Sequence, residues 1–440
     1  MKGKIRIGCG AGFSGDRLEP GIILAEKGEL NYLVLECLAE RTIALAQKRK
    51  LQDSIMGYDV LLERRIHSLL PALIKNKVRL ITNMGAANPI GAAKKIIEIA
   101  KGLNHRISVA AVNGDDVFDL IDPHQKAIET NAALSASGKL ISANAYLGID
   151  AILPALQTNA DIIVTGRVAD PSLFLAPMVH EFSWSLDDHD LLGKGTVIGH
   201  LLECAGQITG GYHADPGKKD IPDMNHLGHP FADVFDDGSA MVGKVEGTGG
   251  RINLQTAKEQ LLYEVVNPYE YYTPDVIADF TTVRLKETGK DLVTVTGGSG
   301  KEKPATYKVS VGYHALYLGE GEISYAGSNA LGRAKLAASI LQERLNSLFS
   351  EIQIDYIGST SLHHTSFKND SEPYEIRLRV AARADSFDKA AIVGEEVEAL
   401  YTNGPAGGGG VRKYVNEVIG IVSTLIAKEK VRSSVTLFHS

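Results

Sequence analysis

Along the first 165 residues, short wholly apolar runs alternate with longer stretches in which apolar positions recur every three or four residues. The runs at 4–8, 31–36, 78–82, 107–112 and 161–165 are rich in aliphatic and β-branched residues and end in polar, glycine-containing turns, which predicts buried strands. The segments 36–50, 58–75 and 89–103 read as helices; in the second, Leu61, Leu62, Ile66, Leu69, Leu70 and Leu73 fall at helical spacing. Strand, helix, strand in succession predicts parallel pairing with helices on both faces. A further helical stretch, 186–206, precedes an irregular segment at 207–250 rich in Asp, Pro and Gly, which is expected to be an insertion or lid.

Beyond residue 272 the pattern turns to strands at 280–287, 292–296, 306–313 and 320–325. A helix at 330–345, strands at 352–356 and 374–382, a helix at 386–401 and a β-rich tail at 414–438 follow. The order strand, helix, strand, strand, helix, strand is that of a ferredoxin-like unit. The expected fold class is therefore α/β, a mainly parallel sheet flanked by helices, followed by a smaller α+β ferredoxin-like domain. The expected boundary divides 1–273 from 274–440.

Composition narrows the function classes. The net charge of -7 offers no basic field for nucleic acid or an anionic membrane. No apolar stretch approaches the ~20 residues of a membrane span, and the first residues lack the apolar run of a signal peptide. Cys9, Cys37 and Cys204 are odd in number and far apart, which fits a reducing compartment. A cytoplasmic homo-oligomer is expected. The 45 glycines are about a tenth of the chain, above the usual ~7%.

Many of those glycines lie where the predicted strands end, and in a parallel α/β sheet ligands bind outside the carboxyl ends of the strands. The five turns there carry Asp16, Glu36, Arg41, Asn83, Asn88, Asn113, Arg167 and Asp170, whereas the opposite edge offers ordinary helix ends. The first turn contains Gly10, Gly12 and Gly15 in dinucleotide-fingerprint spacing, with Glu36 at the end of the next strand. Asp16 and Glu19 would repel a pyrophosphate there, and Pro20-Gly21 is expected to spoil the crossover helix, so no strong motif for NAD or FAD results. The turn reads instead as an anion cradle or as a tight structural turn.

Arg167 suits a substrate carboxylate or phosphate, and Asp170 suits either proton transfer or a helix N-cap before Pro171. His200, Glu203 and Cys204 fall on one helix face and are candidates for acid–base work. His213, Asp215, Asp220, His226 and His229 match no ligand spacing, and no metal site is expected. The run from Asn403 to Gly410 reads as a linker or, with Arg412, an anion loop.

Five blocks in order carry a resemblance: Gly8-Cys9-Gly10-Ala11-Gly12-Phe13-Ser14-Gly15-Asp16-Arg17, Leu35-Glu36-Cys37-Leu38-Ala39-Glu40-Arg41-Thr42, Thr82-Asn83-Met84-Gly85-Ala86-Ala87-Asn88-Pro89, Thr165-Gly166-Arg167-Val168-Ala169-Asp170-Pro171 and Leu202-Glu203-Cys204-Ala205-Gly206-Gln207-Ile208-Thr209-Gly210-Gly211. Together they resemble the acyclic terpene utilisation (AtuA-type) family from residue 4 to at least 327, and 381–412 looks like its usual C-terminal part. The resemblance implies a place in catabolism through branched acyl-CoA intermediates, with carboxylation, hydration and lyase steps. It assigns no catalytic residue.

The residues support a catabolic enzyme acting on a small carboxylic acid or acyl-CoA, of lyase type: hydration, dehydration or C–C cleavage. Asp16, Glu36, Asp170, His200 and Glu203 are its candidate proton-moving groups. Gly10, Gly12, Gly15, Arg41, Asn83, Asn88, Asn113 and Arg167 are its candidate substrate contacts. A nucleotide-dependent oxidoreductase and a non-catalytic accessory subunit are the alternatives.

Overall fold

The computed structural model describes residues 3–363 and 372–440. The chain divides into one unit of Met1–Ala136, Ile141–Gly312 and Ile421–Ser440 and a second of Ser137–Leu140 and Tyr313–Gly420.

The first unit begins with β1 (Lys4–Ala11), α1 (Glu19–Lys27), β2 (Tyr32–Leu35), α2 (Glu40–Gln52), α3 (Leu62–Asn76), β3 (Arg79–Thr82), α4 (Pro89–Gly102) and β4 (Ser108–Asn113). After β5 (Lys139–Ala145) come α5 (Ile149–Gln157), β6 (Ile162–Thr165), α6 (Ser172–Phe182) and α7 (His189–Glu203). Then follow β7 (Pro230–Phe235), β8 (Ala240–Lys244), α8 (Leu254–Leu262), β9 (Tyr271–Tyr272), β10 (Ile277–Asp279), β11 (Arg284–Gly289), β12 (Leu292–Thr296) and β13 (Ser299–Lys301). Strand β14 (Thr306–Ala326) has residues in both units. The second unit adds α9 (Ala330–Asn346), β15 (Ile352–Ile357), β16 (Glu375–Ala384), α10 (Phe387–Asn403) and the first part of β17 (Gly409–Ala427), and β18 (Ser434–His439) returns to the first.

The main sheet runs β11-β12-β8-β7-β1-β2-β3-β6-β4-β18. Only β1, β2, β3, β6 and β4 are parallel; β7, β8, β12 and β11 on one side and β18 on the other pair antiparallel. The sheet is therefore mixed rather than mainly parallel. Every residue of β2 and β6 is buried, as expected of central strands covered on both faces. On one face α1, α3 and α4 pack Leu24, Ile66, Leu69 and Ile96 against Leu33, Leu80, Val109 and Val164. Helices α5, α6 and α7 pack together and cover the sheet's other face.

Three expectations change. Helix α1 forms despite Pro20-Gly21, because Pro20 lies in the first turn, where its missing N–H has no intrahelical partner to lose, and Gly21 lets the helix approach Gly10 of β1. The 207–250 segment is only partly irregular, since β7 and β8 extend the sheet beside β1. Residues 274–312 and 421–440, assigned from the pattern to the second domain, pack with the first unit, where β11, β12 and β18 complete the main sheet.

In the second unit the strand order is β15-β16-β14-β17, with α9 and α10 interleaved as strand, helix, strand, strand, helix, strand. Ile323, Leu341, Leu378, Val380, Val393 and Val397 form its core.

Candidate functional site

The parallel strands reverse their winding between β3 and β6. Strand β3 leads into α4, which joins α3 on one face, whereas β6 leads into α6, which joins α5 and α7 on the other. Such a reversal opens a crevice at the carboxyl ends of the two strands. The residues that follow β2, β3, β6 and β4 meet there.

At the centre is Arg167, 1% exposed. Its Nη1 donates to the Leu38 carbonyl and its Nη2 to Asp170 Oδ1 at 2.5 Å, and the guanidinium lies 4.1 Å over the Tyr146 ring. Its Nε is buried and has no partner. The turn is held by Asp115, whose Oδ2 accepts from Arg167 N and Asn144 Nδ2, both at 2.9 Å. A β-carbon on Gly166 would lie 2.3 Å from that carboxylate, so the close approach requires glycine. Leu147 braces the same turn by accepting from Ala169 N.

Behind Arg167, Asn83 donates to Glu36 Oε1 at 2.8 Å while its carbonyl oxygen accepts from Cys37 N at 2.7 Å. Leu38 N also donates to Glu36 Oε1. Burial, helped by the nearby Asp170 charge, pushes the Glu36 carboxyl well above the carboxylate range in spite of Arg167 and these donors. Asp170 is raised as well: desolvation in the wall outweighs the Arg167 charge. Burial pushes Asp115 up to about 6.

Arg167 and Asp170 line a cavity of about 760 Å³ whose wall also includes Glu40, Arg41, Tyr146, Glu264, Tyr271, Tyr307 and Lys308. Glu40 accepts from Tyr146 Oη at 2.8 Å and from Lys308 Nζ at 2.7 Å, which holds its carboxyl below the usual range although burial opposes this. Asp170 keeps about a third of its side chain exposed there (36%), enough to meet a ligand. Its carboxylate makes no cap to α6, so the N-cap reading of Asp170 gives way to the ion pair.

The other candidates are placed as follows. Asp16 folds back so that its Oδ2 accepts from Gly12 N at 2.6 Å and Phe13 N at 3.3 Å, filling with the chain's own carboxylate the amide cradle expected to hold an anion. Gly10 packs against Gly21, and Gly12 against the backbone of Glu203 and Cys204, where any β-carbon would collide. A β-carbon on Gly15 would strike the Phe13 ring. These contacts account for the three glycines without a ligand. Asn88 caps α4, accepting from Gly91 N at 2.9 Å and donating to the Ser54, Ile55 and Met56 carbonyls. Asn113 ends β4 opposite Ser434 of β18 and is not among the residues lining the cavity. Arg41 lines it and has no ion-pair partner among the described residues.

His200 and Glu203 do meet: Nδ1 lies 2.8 Å from Oε1, both side chains being buried. Burial lowers His200 to about 4 and raises Glu203 well above its usual range. Tyr271 packs on the imidazole at 5.3 Å and separates it from the cavity that it lines. Of the loop histidines, His213 pairs with Glu259, His226 with Asp223 and His229 with the Gly10 carbonyl.

Four wall or scaffold residues were missed: Asp115, Tyr146, Glu40 and Glu264. The first follows a strand-end glycine, a signal that was available. Tyr146 and Glu264 come from segments whose position the local pattern does not give.

The family model described as acyclic terpene utilisation family protein AtuA matches residues 5–437. No curated protein and no solved structure matches the chain.

Proposed function

The chain belongs to the acyclic terpene utilisation family AtuA, whose name points to a role in acyclic terpene utilisation; from this premise we propose that the cavity at the β3–β6 crevice is the active site of a lyase-type enzyme for a small carboxylic acid or its thioester. The observation that carries the reading is the Arg167–Asp170 pair, buried on the Arg167 side, open on the Asp170 side and set at the winding reversal. Arg167 acts as a positioning residue, since its guanidinium is already bound to Asp170 and Leu38 and presents only Nε and its remaining hydrogens. Arg41, unpaired in the wall, is the better anchor for the substrate's anionic group.

In a dehydration, Asp170 takes the proton from the carbon next to the anchored carboxyl, and the electron pair of that C–H bond forms the double bond as the C–O bond breaks. Asp170, now protonated, hands that proton to the leaving hydroxyl, which departs as water and leaves the carboxylate ionised again, and hydration is the reverse. Glu36, its carboxyl pushed up by burial and oriented by Asn83, sits within electrostatic reach of Asp170. We also read the second unit as ferredoxin-like, on its element and strand order.

The test is incubation with a panel of hydroxy acids, unsaturated acids and their coenzyme A thioesters, followed by mass spectrometry for gain or loss of water or chain cleavage. Turnover abolished by Asp170→Asn supports the reading. Full turnover in that variant, or none of any panel member by the parent protein, refutes it.

A further inference from the structure

The charges in the cavity wall do not cancel evenly in space. Arg167 is paired with Asp170 and Lys308 with Glu40. That leaves Arg41 and Glu264, one cation and one carboxylate, with no ion-pair partner among the described residues, on the wall of one cavity. Glu264 also has a left-handed backbone, φ 58°, a conformation uncommon for a side chain of this kind. Tyr271 and Tyr272 stand in the same wall and bring aromatic side chains to it.

We propose that the cavity binds a carboxylic acid that also bears an ammonium group, its carboxylate at Arg41 and its ammonium at Glu264. The inference rests on the reading of this cavity as a carboxylate site and narrows its substrate class. A ligand of that kind gives both charges an ion-pair partner at once, whereas a plain acid leaves Glu264 with only the hydrogen bond of Tyr263. It also has a chemical consequence. The Glu264 charge is one of those that raise the Asp170 and Glu203 carboxyls. An ammonium seated beside Glu264 cancels that influence, so the correct substrate favours the ionised form of Asp170 that takes the proton.

The experiment is titration calorimetry of the full chain with matched pairs: aspartate and succinate, glutamate and glutarate, valine and isovalerate, 4-aminobutyrate and butyrate. At least one amino member is expected to bind about tenfold or more tightly than its partner, about 1.4 kcal/mol. Glu264→Gln is expected to erase that preference while keeping the affinity for the plain acid, and Arg41→Gln to weaken both. Both side chains are exposed, so neither change threatens folding. If plain and amino acids bind alike, or if Glu264→Gln leaves the preference intact, the inference is overturned while the carboxylate site stands. If no acid of either kind binds, both the inference and the carboxylate reading fail.

Discussion

Asp170 Oδ1 lies 2.5 Å from Arg167 Nη2, and the two residues differ in their surroundings: the arginine is sealed in the protein while the aspartate opens on a cavity. A buried guanidinium with a half-open carboxylate fixes the position of a base without removing it from its substrate. On the proposed reading, Asp170→Asn lowers kcat by about 10²–10⁴ with little change in KM, the usual share of a general base. Steady-state kinetics on any acid found to turn over checks this, and an unchanged kcat would assign the proton transfer elsewhere.

Two buried carboxylates outside the proposed chemistry set a pH dependence. Asp115 and Asp275 are each pushed up to about 6 by burial, although Asp115 accepts from Arg167 N and Asp275 from Ile149 N and Ser172 Oγ. A carboxyl raised on folding favours the folded state at low pH, fully below the unfolded value near 3.9, and that contribution is lost as pH rises through about 6. Each contributes on the order of 2–3 kcal/mol to that slope. Urea unfolding between pH 4 and 7 is expected to show stability falling by this route, and Asp115→Asn, whose amide oxygen accepts the same two donors, to flatten the slope. A slope unchanged in the variant would refute the assignment.

Asn88 acts on stability rather than on substrate. Asn88→Ala removes the α4 cap and three loop contacts and is expected to cost about 1–2 kcal/mol. Thermal unfolding and kinetics measured together separate the two roles: a normal melting temperature with lost activity would restore Asn88 to the substrate contacts.

The glycines divide by what surrounds them. Gly12→Ala places a β-carbon 2.4 Å from the Cys204 backbone and is expected to cost about 1–3 kcal/mol, since no flexible side chain can yield. Gly409→Ala meets nothing within 4 Å and is expected to change stability by less than about 0.5 kcal/mol. Equal effects at the two positions, read by chemical denaturation, would contradict this division.

The sequence by itself determined the local elements, because aliphatic runs and helical spacing act over a few residues: β2, β3 and β6 fall within the stretches that the pattern marked, β4 runs one residue past its own, and α4 starts at Pro89 behind its Asn88 cap. It also located the carboxyl-end turns, and with them Glu36, Asn83, Arg167 and Asp170, since a strand's direction follows from chain order. Only the tertiary structure decided which of these groups meet. Whether a glycine turn receives a ligand or its own Asp16, whether Asn88 faces substrate or a helix end, and which charges remain unpaired depend on contacts between residues far apart in the chain. Tyr146 under Arg167 and Glu40 against Lys308, 268 positions away, are such contacts. Periodicity carries no information about them, because electrostatic pairing and burial are set by distance in space, and that distance exists only once the sheet has assembled.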